Sequence, residues 1–112
     1  MKVETIPEVK QFLNDLITIL YENGYFSFEE NAQKYVDELL NDIETHLPTQ
    51  FKRPAPAYFT NQYGKGLYYA VFPKSKRTQW YVFFRIYRKE GELYYQVRYI
   101  ANNHIVAQFL TF

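Results

Sequence analysis

Cysteine is missing from the 112-residue sequence, which excludes a disulfide framework and a cysteine-based zinc site. The chain has two histidines, and no HExxH motif, Ser/His/Asp set or carboxylate cluster accompanies them, so we expect neither a metal nor a cofactor. It also lacks a long apolar run and a basic-then-apolar amino terminus, which predicts no transmembrane helix and no signal peptide. These absences favour a cytoplasmic protein without a membrane partner.

Aromatic side chains are what the sequence has in excess. They make up 21% of the residues, with twelve tyrosines, and tyrosine at this density typically serves half-buried sheet surfaces or interfaces. A small domain of this size buries roughly two thirds of its unfolded surface, so one core forms without disulfides or metals. We expect a single domain that spans residues 1–112.

Acidic residues are scarce after Pro48. Residues 1–48 hold three lysines against ten acidic residues, a net charge of −7, whereas residues 49–112 hold ten basic residues against Glu90 and Glu92, a net charge of +8. A basic half suits an anionic partner such as a nucleic acid. The alternative is that helices and sheet divided their charges by chance, and composition alone leaves both open.

Two amphipathic helices are predicted in the acidic half. The first begins near Pro7 and ends at Asn23-Gly24, and the second begins near Ser27 and ends before Pro48. Because the linker between them is short, the helices must lie antiparallel, with both apolar stripes turned to the core. The apolar residues that recur at three- and four-residue steps are Val9, Phe12, Leu13, Leu16, Ile17 and Leu20, then Ala32, Tyr35, Val36, Leu39, Leu40, Ile43 and Leu47.

A β-hairpin is the clearest pattern in the basic half. Two segments rich in aromatic and β-branched residues, Trp80–Tyr87 and Leu93–Ala101, flank a loop at Glu90-Gly91. The core face of this register holds Val82, Phe84, Ile86, Val97 and Tyr99. The opposite face holds Tyr81, Phe83, Arg85, Tyr87, Tyr94, Gln96, Arg98 and Ile100. Because tyrosines and arginines are costly to bury without partners, we expect the opposite face to be open and to form the site.

The other segments are predicted from their turn and strand residues. Lys2–Ile6 is an extended lead-in that can add an edge strand, and Thr49–Ala57, with two prolines, is an irregular connector. Tyr58–Tyr63 is a brief strand, Leu67–Phe72 is a longer one, and Ile105–Phe112 is a last strand or a packed tail.

This order of elements resembles the RelE/ParE superfamily of toxins from type II toxin–antitoxin systems. The resemblance rests on a short strand and two helices, then a meandering sheet with the strand Trp80–Phe84, a glycine hairpin and a strand that ends in Ile100–His104. It implies an α+β fold, in which an N-terminal antiparallel helical hairpin packs on one face of an antiparallel sheet of about four strands. RelE-like members cut messenger RNA on the ribosome, ParE-like members poison DNA gyrase, and a cognate antitoxin protein neutralises both.

The family's functional positions are matched only in part. Lys74 and Lys76 lie in the loop where RelE-like ribonucleases carry lysines, and Arg85 is the arginine nearest to the family's place on the central strand. Asn103-His104 stands where the family often has a basic pair. Phe109 stands near the late tyrosine of several ribonucleases and has no hydroxyl.

RNA cleavage through the 2′-hydroxyl needs a proton acceptor, a proton donor and cations that hold the phosphate. The resemblance and this chemistry predict a metal-independent endoribonuclease that acts on mRNA on the ribosome. The predicted catalytic residues are His104, Arg85 and Arg98. The predicted RNA-binding residues are Lys74, Lys76 and Arg77 for phosphates and Tyr81, Tyr87 and Tyr94 for stacking on bases. The alternative is a non-catalytic binding module of the same fold, either a gyrase-inhibiting toxin or an inactive toxin homologue.

Overall fold

The computed structural model describes residues 1–103, so the predicted tail Ile105–Phe112 and His104 lie outside the described residues. The helices are α1 (Pro7–Glu22), α2 (Glu29–His46) and α3 (Ala57–Tyr63), with a 3₁₀ turn at Leu47–Thr49. The strands are β1 (Lys2–Thr5), β2 (Lys52–Pro54), β3 (Tyr68–Pro73), β4 (Gln79–Lys89) and β5 (Glu92–Asn102). Over residues 1–103, no helix is both long and apolar enough to cross a membrane.

The five strands form one mixed sheet in the order β1-β5-β4-β3-β2. Strands β2 to β5 pair antiparallel, whereas β1 pairs in parallel with β5, so that Glu4 lies opposite Gln96. The α+β class and the edge strand of the lead-in are confirmed. The sheet differs from four antiparallel strands because β1 runs parallel and because the connector supplies β2. Pro54 is tolerated there since β2 is an edge strand.

One face of the sheet packs against α1 and α2. Both helices begin within two residues of the predicted positions and turn their apolar stripes to the sheet, as the spacing requires. Tyr35 fixes one end of this layer, because its hydroxyl accepts a hydrogen bond of 2.9 Å from the indole of Trp80. The buried residues of this first cluster are Val9, Leu13, Leu16, Val36, Leu39, Ile43, Leu47, Ala70, Phe72, Trp80, Val82, Phe84, Tyr95, Val97 and Ile100.

The other face of the sheet is covered at one end by α3, where a strand was predicted for Tyr58–Tyr63. The aromatic residues and threonine of this segment favour a strand locally, but Phe59 and Tyr63 lie one helical turn apart and so reach the sheet together. Phe59 stacks on Phe83 with ring centroids 4.3 Å apart. The buried residues of this second cluster are Phe59, Leu67, Tyr69, Tyr81, Phe83 and Ala101. The prediction of a wholly open face is therefore wrong.

A β-bulge at Arg98 changes the predicted faces of β5. The register matches the prediction from Arg88 to Phe84, which lies opposite Val97, but Phe83 then lies opposite Tyr99. Arg98 is the extra residue, and one extra residue moves all later side chains to the other face. Tyr99 thus packs with the second cluster, and Ile100 is buried in the first, the reverse of their predicted places.

The backbone conformation of the hairpin loop leads to a prediction about the stability of the protein. Glu90 and Gly91 have φ angles of 52° and 79°, both left-handed, as a two-residue type I′ turn requires. A left-handed glutamate is strained, whereas asparagine tolerates this conformation. We expect Glu90→Asn to raise the free energy of unfolding by about 0.5–1 kcal/mol. Glu90→Ala, which removes the same charge, should give no such gain in chemical denaturation, and equal stability of both variants would contradict the prediction.

Candidate nucleic-acid interface

Beyond Phe83, the second face of the sheet is no longer covered by α3 and carries a group of polar and aromatic side chains. Strand alternation brings them to the surface, because Arg85 and Tyr87 of β4 lie opposite Gln96 and Tyr94 of β5. Edge strand β1 adds two more side chains from its pairing with β5. We name this group the open patch, and it consists of Lys2, Glu4, Arg85, Tyr87, Tyr94, Gln96 and Arg98.

Two stacked tyrosines form the centre of the open patch. The rings of Tyr87 and Tyr94 are nearly parallel, with an interplanar angle of 10° and centroids 5.2 Å apart. A cation lies near each ring of this pair, with the Lys2 ammonium 6.0 Å from the Tyr94 ring and the Arg85 guanidinium 5.9 Å from the Tyr87 ring. Arg85 is exposed and makes no ion pair with any residue from 1 to 103. Its charge is therefore available to an anion.

Glu4 joins the two halves of the open patch. Its Oε1 atom accepts a hydrogen bond from the Tyr87 hydroxyl and another, of 3.4 Å, from the Gln96 amide nitrogen. The bond to Glu4 is the main cause that raises the pKa of Tyr87 above its ordinary value of 10.0, followed by burial and by the charge of Glu4, while Arg85 lowers it. Tyr87 thus keeps its proton at neutral pH, which suits a donor and a stacking surface rather than a base.

Arg98 is held between Gln96 and the end of α3. Its Nη1 atom donates a hydrogen bond of 2.8 Å to the Gln96 side-chain oxygen. On the other side, a Cβ atom at Gly64 would lie 3.9 Å from the guanidinium carbon, so the backbone of Gly64 passes close to the arginine. The φ angle of 116° at Gly64 favours glycine there. The bulge and the C-terminal end of α3 therefore fix where this second cation points.

A pair of tyrosines borders the open patch beneath α3. Tyr63 and Tyr99 stack with centroids 4.5 Å apart and an interplanar angle of 11°. Burial is the largest cause that raises the pKa of both residues. They close the second cluster against solvent next to Arg98, so they are packing residues with polar tips.

None of the three predicted loop cations joins the open patch. Lys74 turns to the helix layer, where its ammonium lies 3.9 Å from Glu38, 4.0 Å from Asp42 and 5.1 Å from the Tyr35 ring. It is mostly buried among these partners, which is a structural role. Lys76 and Arg77 are exposed in the loop between β3 and β4, at the other end of β4 from Arg85.

Two further predicted site residues fall outside the open patch. Tyr81 was expected to stack on bases, but it is only 7% exposed in the second cluster, and burial raises its pKa. His104 lies outside the described residues. Asn103, the last described residue, accepts a hydrogen bond of 3.0 Å from the backbone of Gln79, so Asn103 lies about 20 Å along β4 from Arg85.

Sequence reasoning missed Lys2, Glu4 and Gln96 as members of the site. Gln96 was placed on the right face without a role, and the alternation Lys2-x-Glu4 in the lead-in was the signal that both charges share one face. The parallel pairing that brings β1 beside β5 is non-local and has no local signal. Within residues 1–103, no group of three or more His, Asp or Glu side chains could hold a metal ion.

Comparison of the chain with protein-family models, with curated proteins and with solved structures finds no match. The chemistry of the open patch is therefore the main indication of function. That patch has two arginines, one lysine, two stacked rings and one carboxylate that hydrogen-bonds to its neighbours.

Proposed function

We propose that the chain is a RelE/ParE-like toxin of a type II toxin–antitoxin system, and that it cleaves mRNA on the ribosome in the cytoplasm. The observation that carries the proposal is the open patch, where Arg85 has no anionic partner within residues 1–103 and lies beside a stacked tyrosine pair. Free guanidinium groups bind phosphates, and aromatic rings beside them suit splayed bases, the combination by which single-stranded RNA is bound.

In this proposal the RNA strand follows β4 from the open patch to the loop of Lys76 and Arg77. Arg85 and Arg98 hold phosphates at one end, with Tyr87 and Tyr94 near the bases. His104 transfers the proton in this proposal. The net charge of +8 in residues 49–112 supports this assignment, because each contact between a basic residue and a phosphate releases counterions from the RNA and so increases the affinity. The cognate antitoxin is then a protein that covers this basic face with acidic residues.

The alternative is a non-catalytic module of the same fold, including a gyrase-directed toxin. It is favoured by the composition of the open patch, which holds no histidine beside its two arginines. Within residues 1–103, the side chains of the open patch bind and orient, and Tyr87 keeps its proton.

Primer extension on translated mRNA after induction distinguishes these functions. We expect wild-type protein to produce cuts within codons and to arrest growth, and His104→Ala to abolish both. His46→Ala is the matched control, since His46 is the exposed last residue of α2 on the helix layer, and it should cut as wild type does. Intact transcripts with wild type would refute the ribonuclease, and a DNA-damage response with intact transcripts would identify the gyrase-directed alternative.

A further inference from the structure

The two arginines of the open patch are not in contact with each other, yet both are connected to one carboxylate. From Glu4, one path runs through the Tyr87 hydroxyl to its ring, which lies 5.9 Å from the Arg85 guanidinium. The other path runs through the Gln96 amide, which donates to Glu4 and accepts from Arg98 at 2.8 Å. Both bonds to Glu4 end on the same oxygen, Oε1.

The Gln96 amide has a defined orientation in this network. Its nitrogen must face an acceptor, the Glu4 carboxylate, and its oxygen must face a donor, the Arg98 guanidinium. Both bonds are charge-assisted, because one ends on a carboxylate and the other begins at a guanidinium, so Gln96 is oriented from both sides. Glu4 thus helps to set which way Gln96 points, and Gln96 helps to set where Arg98 Nη1 is held.

We propose that Glu4 is a positioning residue that holds Arg85, through Tyr87, and Arg98, through Gln96, at a fixed spacing that receives the phosphates of single-stranded RNA. The identity of the ligand, single-stranded RNA, rests on the proposed function. The positioning of the two arginines by Glu4 does not depend on that function. Arginines ordered before binding lose less rotamer freedom when RNA arrives, which raises affinity although the carboxylate itself repels phosphates.

The Glu4 carboxylate repels phosphates, so electrostatics and positioning predict opposite effects on RNA binding when its charge is removed. Glu4→Gln removes a negative charge from a basic surface, and electrostatics alone predicts tighter RNA binding. Positioning predicts that this variant binds a 2′-O-methyl single-stranded RNA oligonucleotide, which cannot be cleaved through its 2′ position, about threefold to tenfold more weakly. Glu44→Gln makes the same charge change on an exposed site of α2 and should bind as wild type. Equal or tighter binding by Glu4→Gln would overturn the proposal.

Gln96→Leu separates the two paths. It interrupts the path to Arg98 and leaves the bond between Tyr87 and Glu4, so the Arg98 side chain should gain mobility in ¹⁵N relaxation of its Nε–H group while Arg85 does not. In Glu4→Gln both arginines should gain mobility, and the ¹³Cζ signal of Tyr87 should titrate at a lower pKa, closer to 10.0. Circular dichroism checks that both variants fold.

The relaxation data distinguish a failure of RNA binding by the open patch from a failure of the positioning role of Glu4. If wild-type protein does not bind the oligonucleotide, RNA binding by the open patch is refuted, and the positioning role then depends on the mobility of the two arginines alone. Unchanged mobility of Arg98 in both Glu4→Gln and Gln96→Leu would refute that role, whatever the affinity for RNA.

Discussion

Phe84→Ala is expected to lower the free energy of unfolding by about 3–5 kcal/mol, because it leaves a large cavity in the first cluster. The Phe84 side chain is fully buried, and its ring has neighbours on both flanking strands, with centroids 6.1 Å from Tyr68 and 5.8 Å from Tyr95. Neighbours that belong to paired strands have little freedom to collapse into the space. Urea denaturation followed by circular dichroism measures the loss.

Phe51→Ala is the matched control for this change. Phe51 is 75% exposed, so the same truncation removes little buried surface and should change the free energy of unfolding by less than about 0.5 kcal/mol. A loss below about 1 kcal/mol for Phe84→Ala would show that the sheet and the helices do not share one packed core.

Removing both arginines of the open patch should have the largest effect on RNA binding. Arg85→Ala and Arg98→Ala each lose one charge-assisted phosphate contact, about 1.5 kcal/mol or roughly tenfold in affinity, and the double variant should lose about 100-fold if the sites are independent. The slope of log affinity against log salt should fall by about 0.7 per lost contact on a single strand. Fluorescence anisotropy over a series of salt concentrations measures both quantities.

Arg88→Ala controls for the loss of any arginine from β4. Arg88 is exposed three residues further along the strand, and alternation puts its side chain on the other face. It should change neither affinity nor salt slope beyond the small effect of net charge. If Arg88→Ala weakens binding as much as Arg85→Ala does, then the RNA contact is diffuse and the open patch is not its site.

The sequence predicted those parts of the fold that depend on local patterns. The stripes of α1 and α2 and the turn at Glu90-Gly91 were found because each pattern is contained in a few neighbouring residues. The helix α3 was missed because Tyr58–Tyr63 has strand propensity and because the helix, Ala57–Tyr63, has only seven residues, with Pro56 before it as the sole start signal.

The candidate site was likewise predicted only where it depends on a local pattern. Arg85, Tyr87 and Tyr94 were placed correctly, since alternation from the turn is reliable over a few residues. The bulge at Arg98 turns Tyr99 to the face where it packs against Tyr63, a tertiary contact that no pattern in β5 encodes. Tyr99 and Ile100, which follow the bulge, were consequently assigned to the wrong faces.

The parallel pairing of β1 with β5 determines when the open patch is assembled during synthesis. Glu4 meets Tyr87 across 83 residues of chain, so β1 leaves the ribosome long before its partner strand exists. At roughly 5–20 residues per second, it waits for several seconds while α1 and α2 fold locally. In a nascent chain that ends before β5, the open patch is therefore not yet assembled. If the proposed function is correct, a translating ribosome is protected from its own product until synthesis is nearly complete.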